Sequence, residues 1–270
     1  MDADVAALER IEREAWLSLA EAAPPDFAKS VGFECAPIGG ALFMMMSRIP
    51  ALQFNWLAGA GLEADDSEAV GEAVARFRAA GQTKFIIQIP PGPHAQWTAA
   101  RAQEEGLIEH PLAWAKFRRE TKNARQFGFD GDIRDASQGE AELFAATAVA
   151  AFGMPPPMTA WLKEIVGRPR WRCFLSFIDG APAGVGALFV DGDYAWIGVG
   201  ATKREARRLG SHSALIARRI EEARRLGARW AVTETGVPQE GQPAPSYKNI
   251  RNAGFSIAYV RPNWAPPPNP

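Results

Sequence analysis

Three β-rich runs, Trp171–Ile178, Ala183–Val190 and Tyr194–Thr202, are separated by two Asp-Gly pairs, Asp179-Gly180 and Asp191-Gly192. Asp-Gly tolerates the positive backbone φ that a tight hairpin turn needs, so the runs predict a three-strand antiparallel meander. A short basic loop follows, carrying Lys203, Arg204, Arg207, Arg208 and Gly210, and then a helix expected over His212–Leu226. Ile216, Ile220 and Ala223 face inward on that helix and Gly227 ends it. A helix start offers unpaired backbone N–H groups and the positive end of the helix dipole, which makes it an anion site. Gly210 lets backbone approach a ligand closely, and four cations bias the loop towards phosphate.

Composition makes that anion site local. The 270 residues suffice for one large domain or two ordinary ones. Apolar content of 47% with 23% charged residues is that of a soluble globular chain. The formal net charge of −1 gives no overall field for nucleic acid or membrane, and neither is expected as a partner. Cys35 and Cys173 lie far apart, and His94, His110 and His212 are scattered, so neither a metal site nor a disulfide framework is expected. Charges at Glu9, Arg10, Glu12, Arg13 and Glu14 interrupt any signal-peptide core, and stretches such as Ala41–Met46 are too short to span a bilayer. A soluble, cytoplasmic protein is the expectation.

Along the chain, Asp4–Ala22 has a helical face at Leu8, Ile11, Ala15 and Leu19, stopped by Pro24-Pro25. Phe33–Arg48 (broken at Gly39-Gly40) and Leu52–Ala58 read as strands, Ser67–Ala80 as a helix, and Lys84–Ile89 as a buried strand. A helix over His94–Glu105 and a strand over Trp114–Arg119 complete the first half, and the polar stretch 119–132 reads as a linker. The second half opens with a strand (Phe127–Arg134) and helices over Gly139–Phe152 and Met158–Val166. It closes with a strand (Trp230–Thr235), a short helix (Ser246–Asn252), a last strand (Phe255–Val260) and a tail (Pro266–Pro270) expected to be disordered. The two halves share an order of elements, with Trp56 and Gly106-Leu107 standing where Trp196 and Gly254-Phe255 stand in the second. At the loop the halves differ: the first has Glu63, Asp65 and Asp66, which suit a helix start but would repel a phosphate.

The segment Arg207-Arg-Leu-Gly210-Ser-His212, between meander and helix, resembles the Q/R-x-x-G-x-G/A signature of the GNAT superfamily of acetyl-CoA-dependent N-acetyltransferases. The first two key positions match, and the third is His212 instead of Gly or Ala. The elements around it run in family order over Phe127–Trp264, and the first half looks like a degenerate second copy, as in tandem GNAT proteins. The resemblance implies an α/β (α+β) fold of two GNAT-like domains, residues 1–122 and 123–270, each a mixed, mostly antiparallel twisted sheet flanked by helices. It implies that Ala201, Thr202 and Lys203 pair with the pantetheine arm of acetyl-CoA like an added strand. Backbone around Arg207, Arg208, Leu209, Gly210, Ser211, His212 and Ser213 would surround the pyrophosphate, and no metal is implied.

Acetyl transfer to an amine needs a base for the attacking nitrogen, a donor for the oxyanion and a departing thiolate. Backbone N–H between the strands Tyr194–Thr202 and Trp230–Thr235 suits the oxyanion. Many family members carry a Tyr as thiolate acid four residues before the terminal Gly-Phe pair; here that position is Ile250, and Tyr247, one turn earlier, is the substitute. Glu234 is the candidate base: strand alternation sets it on the face of Trp230 and Val232 near a strand end, where the alternative is a turn cap or an arginine partner. Asn249 either bonds the cofactor or caps its helix, and Ser246, after Pro245, reads as a cap. Arg218, Arg219, Arg224, Arg225 and Arg229 alternate with Glu221 and Glu222 as on a solvated helix face. Trp56, Trp161, Trp196 and Trp230 read as core. The expected function is N-acetyl transfer to a small-molecule or amino-acid-like amine, with a homodimer left open. A non-catalytic acyl-CoA sensor and an aminoacyl-tRNA-using tandem transferase are the alternatives.

Overall fold

The computed structural model describes residues 5–268. Asp4, at the expected helix start, and Asn269 and Pro270, in the expected tail, lie outside the described residues. Helix α1 (Val5–Glu21) buries the anticipated face of Leu8, Ile11, Ala15 and Leu19, together with Glu9 and Glu12. A two-turn helix, α2 (Pro25–Val31), follows. The first sheet begins with β1 (Phe33–Ile38) and β2 (Ala41–Met46), joined at Gly39-Gly40. The strand expected from Leu52 is a single 3₁₀ turn to Phe54, and β3 (Trp56–Ala58) starts only after it. Asn55 causes the switch: its side chain accepts the Met46 N–H and donates to the carbonyls of Ile49 and Ala51, tying the turn in place. Helix α3 (Asp66–Ala79), β4 (Ile86–Gln88), α4 (Ala95–Glu104), β5 (Ile108–Glu109) and β6 (Trp114–Glu120) complete the first half.

In the second half β7 is shorter than expected (Asp132–Asp135), because residues 127–131 pass across the neighbouring loop as irregular chain. Then come α5 (Ala141–Phe152), α6 (Met158–Leu162) and the meander of β8 (Trp171–Ile178), β9 (Ala181–Asp191) and β10 (Tyr194–Thr202). Helix α7 (Ser211–Arg225), β11 (Trp230–Gly236), α8 (Pro245–Asn252), β12 (Ser256–Arg261) and β13 (Asn263–Ala265) follow.

Each half is thus a mixed, mostly antiparallel sheet with one parallel pair, β3 with β4 and β10 with β11. The sheets exchange strands. The first has the order β1-β2-β3-β4-β13-β5 and the second β12-β6-β11-β10-β9-β8-β7. Strand β6, from before residue 122, sits inside the second sheet between β11 and β12, and β13, from the chain's end, sits inside the first between β4 and β5. Each sheet therefore needs the other half of the chain to fill its interior. One apolar core lies between the sheets, where α1, α2, α5 and α6 meet both inner faces; two others lie under α3/α4 and under α7/α8.

Candidate functional site

Strands β10 and β11 pair in parallel only over Tyr194–Trp196 and Trp230–Val232, and then diverge. On its other side β10 stays paired to β9 through Ala201 and Thr202, past a bulge between Gly198 and Ala201 in which Val199 has φ +45°. Lys203 N–H donates to the Ala183 carbonyl. Past Trp196 no strand pairs with the edge of β10 that faces the divergence; there Thr233 donates its hydroxyl to the Ile197 carbonyl and Arg207 bonds the Thr202 carbonyl, while the Thr202 hydroxyl is buried without a partner.

Beyond Lys203 the chain makes one 3₁₀ turn, Arg204–Ala206, and enters α7 through Gly210 at φ +88°, with no side chain capping the helix. Among the described residues no protein group accepts the backbone N–H groups of Arg208, Leu209, Gly210, Ser211, His212 or Ser213. Arg208 itself adopts φ +69°. Arg207 is exposed and bonds the Thr202 carbonyl, Leu209 is exposed, and the buried Ser211 hydroxyl meets that of Ser176. The irregular segment before β7 backs the loop: a Cβ at Gly210 would collide with the Gly128 carbonyl. These open amides at the start of a 15-residue helix suit a diphosphate.

The matching loop in the first half is already filled. The buried Asp66 carboxylate accepts the N–H groups of Gly61, Leu62 and Glu63 on one oxygen, at 2.7, 2.9 and 2.9 Å, and that of Gly40 on the other, at 3.0 Å. Repulsion by the acidic residues was the expected obstacle to phosphate. Asp66 goes further and occupies the cradle itself.

A cavity of ≈ 560 Å³ opens at the strand divergence and extends between the two halves. Its second-half wall includes Ile197–Gly200, His212, Thr233, Glu234 and Ile250; its first-half wall includes Trp16, Trp56, Ile86, Gln88 and Trp114. Glu234 accepts the Trp196 indole N–H at 3.0 and 3.2 Å and lies 3.6 Å from Lys116 Nζ. Behind it stands a buried cluster contributed by α1, β6 and β12. Lys116 is ion-paired with Glu12, and Arg261 bridges Glu9 at 2.8 Å and Glu12 at 2.9 Å. The Tyr259 hydroxyl donates to Glu9 at 2.6 Å. Burial would raise Glu12, but Arg261 and Lys116 outweigh it and hold the carboxyl at about 2. Glu234 has the opposite fate: burial, then the negative charge of Glu12, push it up to about 7. A carboxylate so placed can take a proton near neutral pH.

Several expected residues lie elsewhere. Tyr247 packs edge-on against Phe117, 5.3 Å between ring centroids, in the core under α7/α8, whereas Ser246 and Ile250 of its helix line the cavity. Tyr247 shares the face of Ile250 but is taken up by Phe117 and does not line the cavity. Ser246 makes no cap; α8 starts with Pro245, which has no N–H to satisfy. Asn249 bonds neither a cap nor its own helix end, but the ring of His212 at 3.1 Å. Burial and the charge of Arg219 lower His212 to about 4, so the ring is neutral at pH 7. Trp230 is half-buried between the guanidinium groups of Arg118 and Arg229, outside the core.

Arg219 departs furthest from expectation. It is 2% exposed and runs beneath the sheet, where Gly186 and Gly200 leave it room: a Cβ at either would come within 2.7 and 2.9 Å of the guanidinium. It donates to the carbonyls of Leu215, Ala187 and Gly198, at 3.0, 3.3 and 2.9 Å, and so pins the bulged part of β10. Burial pushes its pKa down to about 9. The glycines at 186, 198 and 200 were the available signal in the sequence.

No family model and no curated protein matches the chain. Solved structures do. A GCN5-related N-acetyltransferase from Kribbella flavida superposes with a TM-score of 0.64 at 14% identity, over 99% of this chain and 97% of that one. A tandem GNAT protein from the clavulanic acid biosynthesis pathway gives 0.58 at 16% identity, over 100% and 98%. An acetyltransferase of the GNAT type from Novosphingobium aromaticivorans gives 0.51 at 16% identity, over 97% of each chain. The fold is the tandem GNAT fold. In its terms the second half carries the open loop, and the first half carries a copy closed by its own aspartate. Among the described residues no cluster of His, Cys, Asp and Glu could hold a metal ion, and no helix is long and apolar enough to cross a membrane.

Proposed function

We propose that the second domain transfers an acetyl group from acetyl-CoA to a primary amine by direct attack. The observation that carries this reading is that Glu234 and the start of α7, at His212, line one cavity. The N–H groups of Arg208 to Ser213 would take the diphosphate, and the edge of β10 that no strand covers past Trp196 the pantetheine arm. Each charge-assisted backbone bond contributes roughly 1.5–3 kcal/mol, so several together hold the co-substrate without a dedicated side chain. Glu234 accepts the proton of the incoming ammonium. The amine nitrogen then bonds to the thioester carbon, the carbon–sulfur bond breaks, and the second proton lost by the nitrogen is taken up by the departing CoA thiolate. The first domain supplies one wall of the acceptor pocket. Calorimetry with acetyl-CoA, followed by CoA release with an amine panel, tests the reading: loss of turnover in Glu234→Gln with retained acetyl-CoA binding is expected. Unchanged turnover in that variant overturns the role of Glu234.

One observation favours a second reading, binding without turnover: Ile250 stands at the thiolate-acid position and Tyr247 is turned to Phe117. Acetyl-CoA binding with no acetylation of any amine would select it.

A further inference from the structure

The cavity is unusually aromatic on the side away from the CoA loop. Trp16 of α1 and Trp56 of β3 meet edge to face, with ring centroids 5.5 Å apart, and Trp16 also leans on Trp196 at 5.9 Å. Trp114 and Trp161 line the same space, so five of the nine tryptophans in the chain border one cavity. Phe152, 45% exposed, also lines it, ahead of the Met154-Pro-Pro-Pro-Met158 segment. Methionines at both ends of that segment reach the cavity, and their unbranched side chains adapt to a flat ligand.

The charged lining is equally one-sided. The acids are Glu234, open to the cavity at the strand divergence, and Glu12 behind it. The two cations of the lining are already engaged: Arg261 with Glu9 and Glu12, and Arg219 with three backbone carbonyls. The remaining electrostatic demand of this pocket is therefore for a cation next to aromatic faces. An ammonium group on an aromatic body meets both conditions, since tryptophan is the strongest cation–π partner and stacks readily. A carboxylate would meet Glu234, and an aliphatic polycation would leave the indole walls unstacked.

We infer that the acceptor is an aromatic primary amine, its ammonium group held at Glu234 and its ring among Trp16, Trp56 and Trp114; this rests on the acetyl-transfer reading above. The half-buried Trp16 is the wall to test, because it belongs to the first domain and lies away from the CoA loop. The probes are 2-phenylethylamine, putrescine as aliphatic amine and 3-phenylpropionate as anionic isostere. In the full-length protein, 2-phenylethylamine should bind by calorimetry and be acetylated with a kcat/KM at least 100-fold above putrescine, and 3-phenylpropionate should not bind. Trp16→Ala should raise KM for 2-phenylethylamine at least 10-fold with kcat and acetyl-CoA affinity little changed, and Trp16→Phe should restore most of it. Acetylation of putrescine with no preference for 2-phenylethylamine, or an unchanged KM in a folded Trp16→Ala, overturns the acceptor class and leaves acetyl transfer standing. Binding of 2-phenylethylamine without any acetyl-CoA binding does the reverse.

Discussion

Replacing Glu234 by Gln isolates the charge that the buried cluster cannot neutralise. Three carboxylates, Glu9, Glu12 and Glu234, face two cations, Lys116 and Arg261, all of them buried except Glu234, which opens on the cavity. Glu12 takes the strong partners and stays ionised at about 2, leaving Glu234 as the surplus acid with its value pushed to about 7. At about 1.4 kcal/mol for each pH unit above the ordinary 4.5, ionising Glu234 within the fold costs about 3 kcal/mol. The direction follows from where the proton sits. Below pH 4.5 Glu234 is protonated whether the chain is folded or not, and there is no penalty. As pH rises the unfolded chain ionises first, so this stability drains away and is lost once pH passes about 7. Urea unfolding of wild type and Glu234→Gln from pH 4 to pH 9 reads this directly. Wild type should lose about 3 kcal/mol relative to the variant across that range, and glutamine still offers an acceptor to the Trp196 indole. In activity, the wild-type rise of kcat/KM through pH 7 should vanish in the variant, with a fall of roughly 10²–10⁴-fold. Any rise above pH 8 from the amine's own deprotonation should persist in both. Parallel stability curves over the whole range would refute the crowded-cluster argument.

Gly210→Ala should weaken acetyl-CoA binding at least tenfold by calorimetry, since φ +88° strains any side chain and the Gly128 carbonyl blocks its Cβ; unchanged affinity removes the loop from the site. Asp66→Ala should lower stability by about 3 kcal/mol or more, because it leaves four N–H groups without their acceptor. Added inorganic phosphate should raise the melting temperature of that variant and not of wild type; equal responses would show that the first-half loop is no cradle. Arg219→Met should cost about 2–3 kcal/mol by urea unfolding and weaken acetyl-CoA binding, through release of the carbonyls at Ala187 and Gly198. A stable variant that binds normally would mean that the bulge of β10 holds without its cation.

The meander, the glycine-led entry to α7 and the order of elements were legible because they rest on local rules. Asp-Gly turns, helical spacing and the positive-φ glycines act within a few residues of each other. Glu234 was legible for the same reason, since strand alternation alone sets its face. The Ser246 cap did not form, and which residues of α8 reach the cavity and which, like Tyr247, pack on Phe117 is a packing outcome that the local sequence does not carry.

By itself, then, the sequence determined the elements and the loop whose amides stay open, since both follow from neighbouring residues. Tertiary structure alone decided what stands behind Glu234. Lys116 meets Glu12 across 104 positions, and Arg261 meets Glu9 across 252. The first contact depends on β6 standing inside the second sheet, the second on α1 packing between the sheets against β12, and no local pattern encodes either. Arg219 teaches the same lesson. Its helical spacing reads as solvated, but Gly186 and Gly200 hollow the sheet beneath it, and carbonyls stranded by a bulge draw the cation inward.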